Sequence, residues 1–317
     1  MKIHINRAKK LELNLMKISI FYDEEKLNEV KTIKNIILSH KCDVILYNDA
    51  SIFQSNIESP HNIMKDVTHI IFMYSDKKTL HNNFIFFSGY ALGANIPIIL
   101  ISDTIDSYIP KQWLKLFTIL AYNSFASFFE EEKKRFNTEK IKEIARNQLL
   151  QKGYSLFNSN YVQVIKENKL EIAKLFINAG FSPSEVDNLG TPVLSIAVRE
   201  RHIDMVKLLI KEGANVNATS KDRNYTALMD AAQIGELEIS RVLLQSNANP
   251  NTQSKDGQTA LILAVGRQDI KIIDILLKSH SDYSLKDCMG MSSLDYANLF
   301  KNKDILNLFE EAQKVKQ

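Results

Sequence analysis

Cysteine is nearly absent: Cys42 and Cys288 are the only two in 317 residues, one in each half of the chain. Two such thiols exclude a disulfide framework and point to a reducing, cytoplasmic setting. The seven histidines never pair at ligand spacing, so no metal site is expected. No run reaches 18 uninterrupted apolar residues, which excludes a membrane-spanning helix. Residues 1–15 are basic but lack an apolar core followed by a small-residue cleavage site. They read as an unstructured tail ahead of Met16 and not as a secretory leader. An excess of one charge is missing as well: 40 Lys/Arg stand against 37 Asp/Glu. Residues 1–157 hold 21 of the first and 17 of the second, and residues 158–317 hold 19 and 20. Without a concentrated basic face, a nucleic-acid partner is not expected. What remains, 45% hydrophobic and 24% charged, is the composition of a soluble globular protein with room for two domains.

What is present, from Ser159 onward, is a period. In register, units open at Ser159, Pro192, Thr226, Thr259 and Ser292, at intervals of 33, 34, 33 and 33 residues. A fixed period of this size means stacked supersecondary units. Five positions into each stand Val164, Ala197, Ala231, Ala264 and Ala297, mostly small side chains that let helices approach closely. Deeper in come the apolar pairs Leu175/Phe176, Leu208/Leu209, Val242/Leu243, Ile275/Leu276 and Leu308/Phe309, which bury surface only against a neighbouring unit. Gly180, Gly213, Asn247 and His280 are placed to close the second helix of each pair, His280 being the poorest fit to a left-handed turn.

Thr226-Ala-Leu-Met-Asp-Ala-Ala, Thr259-Ala-Leu-Ile-Leu-Ala and Gly235-Glu-Leu-Glu-Ile carry a resemblance to ankyrin repeats over residues 159–317. The resemblance implies a solenoid that offers finger tips and the inner face of its first helices, a concave surface, to another protein. In this sequence that surface comprises Asp187, Asn188, Leu189, Lys221, Asp222, Arg223, Asn224, Tyr225, Lys255, Asp256, Asp287 and Met289, with Arg199, Gln233 and Arg267 nearby and Met229 reaching the same face. Tyr and Arg are frequent binding hot spots, which singles out Tyr225 and Arg223.

The first half alternates strand and helix patterns: an apolar run at Met16–Tyr22, a helical spacing over Asp23–Ser39, strands at Asp43–Tyr47, Val67–Tyr74 and Pro97–Ile101, and a helix over Phe84–Ala94. Trp113–Phe129 fits either strand or helix, and Glu130–Gln151 reads as a charged, solvated helix. This order predicts an α/β domain over 16–129 with a parallel, flavodoxin-like sheet, a helical linker over 130–158, and the repeats thereafter. In such sheets ligands bind beyond the strand C-terminal ends at the switch point.

Asp66–Tyr74 and Phe87-Ser-Gly-Tyr-Ala-Leu-Gly-Ala-Asn-Ile-Pro-Ile-Ile are similar to part of the nucleoside 2-deoxyribosyltransferases and TIR domains. That resemblance implies an N-glycosidic-bond enzyme acting on NAD or a nucleoside, with a Glu two residues before Gly-Tyr-Ala. This chain has Phe87 there. Sugar cleavage builds positive charge that a placed carboxylate stabilises; the one carboxylate between Val67 and Ser102 is Asp76, the weak catalytic candidate. Tyr22, Asp23 and Tyr90 are the ligand-binding candidates. Two readings follow. The chain is an interaction protein whose α/β domain has no catalytic role and needs no cofactor, or it is an NAD or nucleoside enzyme, or a nucleotide-sensing pseudoenzyme, directed by its repeats. The missing Glu favours the first.

Overall fold

The computed structural model describes residues 16–48, 63–73, 82–102 and 115–315. It divides into two compact units whose boundary falls between Lys140 and Ile141. In the first unit, strands β1 (Lys17–Tyr22), β2 (Asp43–Asn48), β3 (His69–Met73), β4 (Ile98–Ile101) and β5 (Thr118–Leu120) form one sheet. Its order is β2-β1-β3-β4-β5, with every neighbouring pair parallel. This is the flavodoxin-like arrangement read from the alternation of elements. Helices α1 (Leu27–Ser39), α2 (Asn82–Gly93) and the start of α3 (Phe125–Gln151) cover it.

Because side chains alternate along a strand, the sheet builds two cores. Ile18, Ile20, Tyr22, Ile71, Met73, Ile99 and Ile101 face α1, whose Val30, Ile33 and Ile37 recur at helical spacing, and Phe125 and Phe129 of α3. Phe21, Ile70, Phe72, Ile98 and Leu100 face Phe84, Phe87 and Ala91 of α2. All five residues of β3 are buried, as a central parallel strand requires.

Two expectations change here. The segment ending at Phe129 resolves into β5 and the start of α3, and the helix expected from residue 130 begins at Phe125 because two aromatic residues of its first turns belong to the sheet core. Nor is its charged run wholly solvated: Glu132 is buried beside the sheet. Trp113 and Asp76 lie outside the described residues.

The second unit is a sequence of helix pairs: α4 (Asn158–Lys166) with α5 (Leu170–Asn178), α6 (Val193–Arg199) with α7 (Ile203–Lys211), α8 (Ala227–Ile234) with α9 (Leu237–Gln245), α10 (Ala260–Gly266) with α11 (Ile270–Lys278), and α12 (Ser293–Phe300) with α13 (Lys303–Val315). First helices pack on first helices and second on second, each pair touching the next. Thr226, Thr259 and Ser292 cap their helices by accepting from the backbone N–H three residues on, and a cap of this kind is worth about 1 kcal/mol. The first unit departs from this: α4 starts at Asn158, so Ser159 lies inside the helix.

The five residues expected to be small and inward, Val164, Ala197, Ala231, Ala264 and Ala297, are all buried, as are Phe176, Leu209, Leu243, Leu276 and Phe309. One cluster therefore runs through the whole unit. Left-handed backbone marks the turns. Gly180, Gly213, Asn247 and His280 all have positive φ, His280 included, and so do Asn168, Arg201, Gly235, Gln268 and Lys301 between the two helices of each pair.

A polar ladder fixes the spacing of neighbouring units. Asn251 Oδ1 accepts from Asp282 N–H at 2.7 Å, and its amide donates to the His280 carbonyl at 3.3 Å. Asn217 does the same one unit earlier, accepting from Asn249 N–H and donating to the Asn247 carbonyl. At the finger tips, the N–H groups of Lys221, Lys255 and Cys288 donate to the carbonyls of Gly190, Arg223 and Asp256. Replacing Asn251 by Ala removes two such bonds, those to the N–H of Asp282 and to the carbonyl of His280. Urea unfolding is expected to show a loss of about 1–2 kcal/mol; an unchanged midpoint would mean that packing alone sets the spacing.

Candidate protein-binding surface

The fingers are the loops between one helix pair and the next, and each tip turns through a left-handed residue: Gly190, Asn224, Gly257 and Gly290. The residue just before each is Leu189, Arg223, Asp256 and Met289, and all four are exposed. Leu189 and Met289 are 76% and 75% exposed, more than any large apolar residue of the repeat helices. The rim therefore reads apolar, cationic, anionic, apolar on a backbone already bonded from finger to finger. Asn188 and Lys255 are exposed beside it, with Lys255 Nζ donating to the Lys221 carbonyl at 2.7 Å.

Several expected contact residues work inside the fingers instead. Asp187 accepts from the N–H groups of Leu189 and Thr191, holding its own loop. Asp287 accepts from Met289 and Met291 N–H and from the Tyr296 hydroxyl at 2.7 Å, and is buried. Tyr225 is corrected most sharply. It is 3% exposed, its hydroxyl donates to Gln258 Oε1 at 2.8 Å, and the Arg223 guanidinium lies 4.2 Å above its ring. It supports Arg223 from below and is no free hot spot. Met229, expected on the same face, is core.

On the first-helix face the sequence reading missed Asp230. It sits in α8 in an otherwise apolar run, 2% exposed, and accepts from Arg199 Nε at 3.0 Å. Its Oδ2 and Arg199 Nη2 are buried without a hydrogen bond among the described residues. Burial pushes the Asp230 carboxyl up, and Arg199 partly offsets this; the neighbouring Ser195 hydroxyl also favours the ionised form, though its alignment falls short of a hydrogen bond. The signal was a carboxylate amid Ala, Leu and Met, but its partner lies in the preceding unit.

The candidate ligand residues of the sheet unit do not converge. Tyr22 packs in the core beneath α1 and α3, whereas Tyr90 packs against the core on the opposite face of the sheet. Asp23 caps the turn after β1, its carboxylate accepting from Lys26 N–H. Phe87, standing where the resemblance implies Glu, is 3% exposed and its ring lies 4.5 Å from that of Phe21. At the other end of the strands, unnoticed in the sequence, buried His69 Nε2 and Glu132 Oε1 lie 3.0 Å apart and His69 Nδ1 lies 3.1 Å from the Thr68 hydroxyl. The hydrogen bond from His69, more than any other influence, holds the Glu132 carboxyl below the usual range. Thr68 itself bonds both backbone groups of Lys17, so the trio ties α3 to the N-terminal end of the central strand β3. No helix among the described residues is long and apolar enough to cross a membrane, and no cluster among them could hold a metal ion.

The family model for ankyrin repeats matches residues 162–254 and 243–317. An ankyrin repeat-containing protein of Treponema pallidum (strain Nichols) is 37% identical over 299 residues, covering 92% of this chain and 99% of that protein. Two further relatives share a shorter stretch. Glycerophosphocholine phosphodiesterase gde1 of Schizosaccharomyces pombe is 37% identical over 105 residues, 33% of this chain and 9% of that protein. The B-cell lymphoma 3 protein homolog of Mus musculus is 31% identical over 117 residues, 37% of this chain and 26% of that protein.

Removing the cation from the Arg199–Asp230 pair gives a signed prediction. In Arg199→Ala the carboxylate is left buried with its Nε partner gone, and the loss at neutral pH is expected to be about 2–4 kcal/mol. Because burial already raises the Asp230 pKa, and does so further without Arg199, the folded state takes up a proton more readily than the unfolded chain. The penalty should therefore shrink as pH falls through that raised value. Thermal unfolding of the variant and parent across acid pH measures it; a penalty independent of pH would contradict the assignment.

Proposed function

The chain belongs to the ankyrin repeat-containing proteins, and from that premise we propose that it binds another protein through its finger rim. The observation that carries this reading is the exposure of Leu189 and Met289 at equivalent tip positions. Large apolar side chains held in water on a hydrogen-bonded backbone contribute nothing to folding, yet become favourable as soon as a partner covers them, at about 25 cal/mol per Å². Arg223, braced on the Tyr225 ring, and Asp256 lie between them in the row and supply opposite charges that select and orient a partner. Free thiols at Cys42 and Cys288 suit a reducing, cytoplasmic setting.

In the same reading the sheet unit is a non-catalytic module. A ring packed into the core at Phe87 supports this, because the TIR-like resemblance implies a carboxylate at that position.

Two measurements test the proposal. Leu189→Asp with Met289→Asp in the full chain should abolish partner capture from native lysate and leave the thermal midpoint within about 2 °C, since both side chains are mostly exposed. Capture that survives both changes would overturn the assignment of the rim. Incubation with NAD and with deoxynucleosides should give no turnover. Turnover that Asp76→Ala removes would instead establish the enzymatic reading.

A further inference from the structure

The last interface between units differs from those before it in three ways that meet at one place. After the left-handed residue that ends each second helix, earlier units carry Phe181, Ala214 and Ala248, and the fourth carries Ser281. Ser281 is 2% exposed and its hydroxyl has no hydrogen-bond partner among the described residues. A hydroxyl buried in this way lowers stability in a way that alanine would avoid. Two residues on, Pro183, Val216 and Pro250 give way to Tyr283, whose ring meets Phe309 edge-on at 6.0 Å. Finally, α5, α7, α9 and α11 each have 9 residues but α13 has 13. Its added turn begins at Ala312, directly after Glu311 at the ninth position, where the other second helices stop.

Beside these departures, between α11 and α13, lies a partly open cavity of about 240 Å³. Leu277, Leu308, Ala312 and Tyr283 make its walls mainly apolar, with Ser281 lining it as well. The charges around it do not cancel. Asp274 is paired with Lys278 at 2.9 Å, whereas Glu311 makes no ion pair among the described residues. We infer that this cavity is a binding site for a small apolar molecule carrying one cationic group. Its apolar body fills the space between Leu277, Leu308 and Tyr283, and its charge lies toward Glu311. The size suits a fragment of about ten heavy atoms, at the small end of ligand pockets. The site is separate from the finger rim, and its test is independent of partner capture.

Phenethylamine and phenethyl alcohol, alike in shape but differing in charge, are the probes, titrated into the full chain by ligand-observed NMR. Both are expected to bind saturably in the millimolar range, the amine about fivefold more tightly. Glu311→Gln should erase that preference. Ser281→Ala, which copies the residue of the second and third units and so keeps the fold, should raise the thermal midpoint and leave the affinity of both probes within about twofold, because the hydroxyl is covered. Ala312→Phe, checked for folding by circular dichroism, should fill the cavity and abolish binding of both probes. Absence of saturable binding, equal affinity for amine and alcohol, or undiminished binding to folded Ala312→Phe would each overturn the inference.

Discussion

No helix pair of the C-terminal unit can bury its own apolar stripe, and this constraint shapes everything from α4 to α13. Phe176, Leu209, Leu243, Leu276 and Phe309 are buried only because a neighbouring pair lies against them. Apolar contact alone is non-directional and would allow one pair to slide past another. The Asn217 and Asn251 clamps and the backbone bonds between fingers remove that freedom, since each hydrogen bond has one register. Packing thus supplies the energy and the polar ladder supplies the spacing. The rim inherits its geometry from both: Leu189, Arg223, Asp256 and Met289 are held in a row by a scaffold in which they take little part.

The two units use buried charge in a similar way at different places. His69 and Glu132 tie a helix to the sheet, and Arg199 and Asp230 tie one helix pair to the next. In each, an acid that would be costly alone is held by a cation or a ring N–H from a distant part of the sequence. Such pairs add little net stability compared with apolar residues, yet losing one partner is costly because it leaves a buried charge uncompensated. In the second unit this complements the ladder, because both fix a pair of neighbours to one arrangement.

The sequence revealed whatever repeats or alternates. The period of the units, the inward alanines and the alternation behind the parallel sheet follow from local patterns that every element must obey for its own burial; β5 did not show, since Thr118–Leu120 lies in a run that fits strand or helix. Less legible was anything settled by a partner far along the chain. Tyr225 looked like an exposed aromatic in a polar loop, because Gln258, which takes its hydroxyl, lies one unit later. Asp287 looked like a finger-tip charge, yet closes its own loop and receives Tyr296. Glu132 seemed one of a solvated run, although Phe129 and Phe136, three before and four after, mark the face it shares. Left-handed turns at Arg201, Gln268 and Lys301 were equally hidden, since nothing in those side chains favours positive φ and the helices on either side impose it.

If neighbouring pairs hold one another in place, protection from amide hydrogen exchange must depend on position in the row. Native-state exchange across the C-terminal unit tests this most directly. Graded protection is predicted, highest in α6, α8 and α10, each flanked by two pairs, and falling toward α12 and α13, which have a neighbour on one side. Equal protection of all these helices, lost in a single step, would contradict the account and indicate one indivisible core.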